Sequence, residues 1–208
     1  MKIEVIDNFL NDDVFIKLNS LVLRNIGPNE IDIYHNTINK MGDVIETCIN
    51  RDIIIDLHQR YHKKLLKILK TLDEEKSLLY DYSDLTIIQT GKNYKYPIHD
   101  DTPNKLLSGV IYLKPEKNTG TIFYSNKDGL NKNIVDWKKN RAVFFSRKEK
   151  ESWHSYEGDG VSTRVALVYN LMTHKIKQVY KIEKKNYFFG QIRWKLNPYI
   201  YKYFKKVI

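Results

Sequence analysis

A chain of 208 residues, 42% hydrophobic and with Cys48 as its only cysteine, can bury a core of its own; a disulfide framework and a thiolate zinc cluster are excluded. The start, MKIEVIDNFLNDD, lacks the basic segment and apolar run of a secretory signal, and no apolar run is long enough for a bilayer, so a cytoplasmic protein is expected. The net charge of +10 belongs to the tail: residues 175–208 hold ten Lys/Arg against Glu183 alone, whereas residues 1–174 carry 25 basic and 24 acidic side chains.

The first 75 residues read as mostly helical. Behind Asn11 as N-cap, Phe15, Leu18, Leu21 and Val22 keep a one-faced helical spacing that stops near Gly27-Pro28. A second helix is predicted over 52–70, with Ile54, Leu57, Tyr61, Leu65, Ile68 and Leu69 on one stripe and lysines on the other. A polar loop is expected between the two. From residue 84 the period changes to short β-branched and aromatic runs separated by turn signals: LTIIQT, YPIHDD, LLSGVIYL, GTIFYS, NIVDW, RAVFFS, SWHSY and STRVALVYNL. Eight such runs without helix-length gaps predict an antiparallel sandwich or barrel, hence an α+β chain with its helices first. The basic segment 175–208 is read as an extension to a domain spanning 1–174. In its NPYIYKYFKKVI, Asn197 is placed to cap a helix and Pro198 to start it, with Ile200, Tyr203, Phe204, Val207 and Ile208 on one stripe and Lys202, Lys205 and Lys206 off it. Either that stripe packs on the domain, or the helix meets an anionic partner: nucleic acid, glycan or membrane surface.

Along a strand, i and i+2 share a face, so in YPIHDD His99 belongs with Asp101 while Asp100 turns away into a salt-bridging or solvent role. One imidazole and one carboxylate leave a divalent metal short of a protein ligand, and open-faced Fe(II) oxygenase sites use two histidines and a carboxylate. His154, in the strand-like SWHSY, is the best third ligand among the six histidines. His174 lies past the last strand and His35 in a loop. His58 and His62 are spaced for zinc on the second helix, but their string, HQRYH, lacks the glutamate of H-E-x-x-H. Arg164 opens the strand STRVALVYNL and shares a face with Ser162, Ala166 and Val168. If that face is interior, its guanidinium needs an acid from another strand or an anionic ligand, and its planar fork of donors suits a carboxylate.

Taken together, His99, Asp101, His154 and Arg164 resemble the Fe(II)- and 2-oxoglutarate-dependent oxygenases, in particular their prolyl-hydroxylase-like branch, over about residues 84–172. The helical entry at VIDNFLNDD, Tyr96 three before His99, Tyr112 in GVIYLKP and the Gly120-Thr121 pair fit that branch as well. The resemblance implies a double-stranded β-helix core of the jelly-roll or cupin type with N-terminal helices packed on it. It implies Fe(II) held by His99, Asp101 and His154, and 2-oxoglutarate bound by Arg164 with Tyr112 and Tyr96 beside it. O2 would be the oxidant and ascorbate a reductant, giving succinate, CO2 and a hydroxylated product. Departures narrow it. Collagen-type prolyl hydroxylases carry a lysine in place of Arg164, the second arginine of nucleic-acid dealkylases is missing from VALVYNLMT, and Asp101 is not the small residue of a halogenase. The primary substrate is not identified by any motif. The rival expectation is a non-catalytic β-barrel binding module recruited through its basic tail.

Overall fold

A computed structural model describes residues 1–204, and of Tyr201 and Phe204 it describes the backbone alone. Two antiparallel sheets carry the strand region. The larger contains β1 (Ile3–Ile6), β2 (Ile31–Tyr34), β3 (Asn36–Asn39), β4 (Val44–Thr47), β5 (Tyr82–Thr90), β7 (Lys105–Lys114), β10 (Ala142–Ser146) and β12 (Arg164–Met172). Its order is β1-β10-β7-β12-β5-β3-β4, with β2 also pairing β5. The smaller contains β6 (Lys95–His99), β8 (Thr121–Phe123), β9 (Asn133–Val135) and β11 (His154–Glu157), in the order β6-β11-β8-β9. All eight predicted runs become β5 to β12, and the chain crosses between the sheets at every step but one, the β8–β9 hairpin of the smaller sheet.

Period-two alternation decides what each strand of the larger sheet does. On β12, Val165, Leu167, Tyr169 and Leu171 enter the main core beneath the helices, while Arg164, Ala166, Val168 and Asn170 face a cavity on the other side. On β7, Leu107, Ile111 and Leu113 are core, and Ser108 and Val110 line the cavity. The core face is closed by α1 (Asp12–Asn19) and α2 (Arg51–Leu72), followed by the single turn α3 (Glu74–Ser77). All six residues of the predicted α2 stripe are buried, and Asn50 caps the helix by accepting from Asp52 N at 2.8 Å.

Three expectations for the helices and loops are corrected. The first helix ends at Asn19; Leu21 lies beyond it and Val22 is 98% exposed. Asn11 does stand at the N-cap, but its side chain accepts from the Tyr61 hydroxyl and not from the helix. The expected polar loop holds β2, β3 and β4, short strands formed by pairing: β2 and β3 onto β5, and β4 onto β3. In the basic segment, α4 (Ile176–Ile182) buries Val179 and Tyr180, and α5 runs over Tyr187–Phe204. Asn197 and Pro198 therefore lie inside α5; Asn186 does the capping, accepting from Phe189 N at 3.2 Å. The face of α5 carrying Gly190, Arg193 and Trp194 meets the domain, and Phe188, Phe189, Tyr199 and Tyr203 are exposed. Lys205, Lys206, Val207 and Ile208 lie outside the described residues. No helix among the described residues is long and apolar enough to cross a membrane.

Candidate metal centre

β6 and β11 pair antiparallel with His154 directly opposite His99, so two histidines from distant stretches meet with ring centroids 4.2 Å apart. Asp101 sits just past the end of β6, and His154 Nε2 is 3.9 Å from its Oδ2. One ligand atom from each of the three lies within 4.8 Å of the others, the only such group found among the described residues. Each imidazole is anchored from behind, His99 Nδ1 to the carbonyl of Pro97 and His154 Nδ1 to that of Ser152, both at 2.9 Å. A carbonyl can only accept, so Nδ1 carries the proton and Nε2 keeps its lone pair.

Tyr96 also lines this cavity. Simple alternation would turn it away, because it precedes His99 by three. A register shift resolves this: Tyr156 pairs with Tyr96 and His154 with His99, so two steps on β11 match three on β6. The extra residue falls at the Pro97-Ile98 bulge, on an edge strand where proline is tolerated. The Tyr96 ring centroid is 4.7 Å from that of His99.

Asp101 is 7% exposed and holds two further donors, Lys105 Nζ on Oδ1 at 2.7 Å and the Ser108 hydroxyl on Oδ2. Burial opposes its ionisation, but Lys105, His154 and His99 outweigh that and hold the carboxyl well below the usual carboxylate range. For His99, burial first and His154 second push the pKa down to about 3, so it is neutral near pH 7. The trio presents two imidazoles and one carboxylate, the donor set of an open-faced non-haem iron site.

Arg164 stands deeper in the cavity, 7% exposed. No acid pairs with it among the described residues, and its Nε has no hydrogen-bond partner. Aromatic rings surround it instead: its Cζ is 3.8 Å from the centroid of Tyr156, 5.3 Å from Trp137 and 5.6 Å from Tyr112. Burial lowers its pKa, with the two tyrosines acting against that. An unpaired buried guanidinium beside a cavity is a request for an anion.

Tyr112 departs from the expected role. Its hydroxyl donates to Thr121 Oγ1 at 2.8 Å and accepts from Thr121 N at 2.9 Å, while the ring stacks on Trp137; it does not line the cavity. Gly120 makes this possible, since a Cβ there would fall on the carbonyl of Val135. Tyr156 and Thr121 take the wall position instead. Sequence reasoning also missed Lys105, Ser108 and Asn170, polar residues at cavity-facing positions of otherwise apolar strands. Asp100 turns away as expected: its carboxylate accepts from Arg193 Nη1 at 3.1 Å and from Lys150 N at 2.9 Å. His58 and His62 stack on α2 with centroids 4.4 Å apart and, among the described residues, belong to no metal-binding group.

No family model matches the chain. No curated protein matches it either. Solved structures do. A Pseudomonas putida prolyl-4-hydroxylase aligns with TM-score 0.55 and 14% identity, over 83% of this chain and 92% of that one. A 2OG-Fe(II) oxygenase family oxidoreductase from Burkholderia pseudomallei aligns with TM-score 0.57 and 14% identity, over 83% and 84%. A viral collagen prolyl hydroxylase from Paramecium bursaria Chlorella virus-1, described as a 2OG complex, aligns with TM-score 0.54 and 16% identity, over 83% and 97%. The chain thus shares the fold of these solved structures.

Proposed function

We propose, on the premise of that shared fold, that the chain is an Fe(II)- and 2-oxoglutarate-dependent dioxygenase that hydroxylates an unactivated C–H bond. The two sheets, with the chain crossing between them at every step from β5 to β12 except β8 to β9, support a double-stranded β-helix. The observation that carries the reading is the pairing of two features in one cavity: a His/Asp/His trio with both Nδ1 atoms already engaged, and an arginine without an internal anion.

The residues fit the missing groups. His99, Asp101 and His154 would hold Fe(II), and Arg164 would hold the far carboxylate of 2-oxoglutarate, with Thr121, Tyr156 and Tyr96 as walls. With O2, those groups supply a two-electron oxidation of substrate coupled to decarboxylation of 2-oxoglutarate to succinate. The chain's share is aim and charge balance. Lys105 and Arg164 against Asp101 leave the protein walls at one positive charge, and a divalent ion with a dianionic cosubstrate changes that by nothing. The backbone carbonyls behind His99 and His154 fix both tautomers before any metal arrives. Ser108 and Lys105 fix the Asp101 carboxylate, and the apolar residues Ile88, Val110, Phe145 and Val168 exclude water around the reacting centre.

The test is succinate formation by the full chain given Fe(II), ascorbate and 2-oxoglutarate, beside Mn(II) binding measured by calorimetry. Wild type should bind Mn(II) and form succinate. His99→Ala and Asp101→Ala should lose both while melting as wild type does. Wild-type Mn(II) binding retained in both variants would sink the assignment.

A further inference from the structure

A second cavity, of about 280 Å³, opens beside β6. It shares Tyr96, His99 and Asp101 with the inter-sheet cavity, so a group seated in it lies against the proposed metal ligands. One wall is Tyr94, Pro97 and Pro103; the facing wall is Trp194, Asn197 and Pro198 of α5. The basic tail is thus part of the site's architecture. It is fastened there by Arg193, whose guanidinium grips Asp100 through two hydrogen bonds and lies 3.5 Å from Glu149.

Each charged side chain lining this cavity is matched inside the protein. Asp100 has Arg193, and Asp101 has Lys105 at 2.7 Å. Arg147 has Glu183 at 2.7 Å and donates from Nε to the Asp101 carbonyl at 3.1 Å. A charged group entering would lose its water and find no spare counter-charge. The aromatic and proline surfaces offer it flat apolar faces. The overall charge of +10 argues the other way, toward anions, so the two predictions are opposed.

We infer that, given the oxygenase reading, this cleft is the primary-substrate site, that it takes an uncharged ring-bearing group, and that Trp194 is its specificity-determining residue. The reading leaves the substrate class open; the cleft narrows it to neutral rings and sets aside free amino acids, phosphates and acidic glycans.

Saturation-transfer NMR on the full chain tests this with matched probes: methyl β-D-glucopyranoside against glucuronate, and benzamide against benzoate. At least one neutral ring should bind about tenfold more tightly than its anionic counterpart, and which one binds identifies a saccharide or an aromatic group. Trp194→Ala should weaken that binding about tenfold, the worth of one aromatic contact, and Trp194→Phe should restore most of it. Should Trp194→Ala melt early, Trp194→Leu, which keeps the bulk and removes the ring, takes its place. Anions binding as tightly as neutral rings, no neutral ring binding, or an unchanged affinity in the Trp194 variants would overturn the inference. Mn(II) and 2-oxoglutarate binding by the same wild-type sample reports separately on the oxygenase reading. Loss of those with ring selectivity intact would remove the oxygenase and keep the neutral-ring cleft.

Discussion

Arg147 and Arg164 are both buried arginines at the ends of strands of the larger sheet, and they are solved in opposite ways. Arg147 is fully enclosed and satisfied from within: Glu183 takes its Nη1, the Asp101 carbonyl takes its Nε, and Lys76 joins the same Glu183 at 2.8 Å. Arg164 has three aromatic faces and no acid among the described residues. The difference separates architecture from function. A charge matched by its own chain ties α3, α4 and the loop before β7 together; a charge left unmatched beside a cavity is prepared for something that arrives later.

That contrast can be broken by removing each guanidinium while keeping its bulk. Arg147→Met strands Glu183 with one fewer cation and should cost about 3–5 kcal/mol, lowering the melting temperature by on the order of ten degrees in thermal unfolding. Arg164→Met removes an unpaired buried charge, so its melting temperature should hold or rise. Its half-saturating 2-oxoglutarate concentration should climb about 10- to 100-fold in calorimetry or turnover, as expected for losing a charge-assisted fork. Equal destabilisation by both substitutions would erase the distinction.

His58 and His62 sharpen it from a third side, since their Nδ1 atoms are also buried and unpartnered. Histidine can give up its proton at ordinary pH and arginine cannot, so these rings settle their burial by staying neutral. Burial, then the neighbouring His58 and Lys63, push His62 down to about 4 from 6.5. Below pH 6.5 the unfolded chain takes up a proton that the folded one refuses, so stability is full above 6.5 and falls as the pH drops toward 4. His62→Gln should flatten that acid limb in urea titrations run at intervals between neutral pH and about 4. An unchanged slope would mean the ring is protonated in place.

Much of the strand-built half of the molecule was legible because it obeys simple periodicities. Eight β-rich runs became eight strands, and the parity of STRVALVYNL alone separates Arg164 and Asn170 from the core set of Val165, Leu167 and Tyr169. β2, β3 and β4 were not legible. IDIY, NTIN and VIET are four-residue strands with no strong alternation, stabilised by what they pair with. His99, Asp101, His154 and Arg164 could be nominated from spacing. The displacement of Tyr112 by Tyr156 could not, because it depends on Thr121 from β8 claiming the phenol. Ser108 could have been found by asking why a polar side chain occupies the cavity phase of KLLSGVIYLK; Lys105, three before it, is off that phase and reaches the cavity past a register shift against β12.

The bulge at Pro97-Ile98 carries a consequence for how the site's entrance could diversify. It acts as a vernier between two neighbouring strands: the chain upstream is offset by one notch from the chain downstream, and only that offset turns Tyr96 inward. Ironing the bulge out at constant length would bring the two scales back into step and swing the phenol outward, with His99 still facing His154 across the pair. The mouth of the cavity can therefore be retuned separately from the pairing of the two imidazoles, by a change of register at one point of one edge strand.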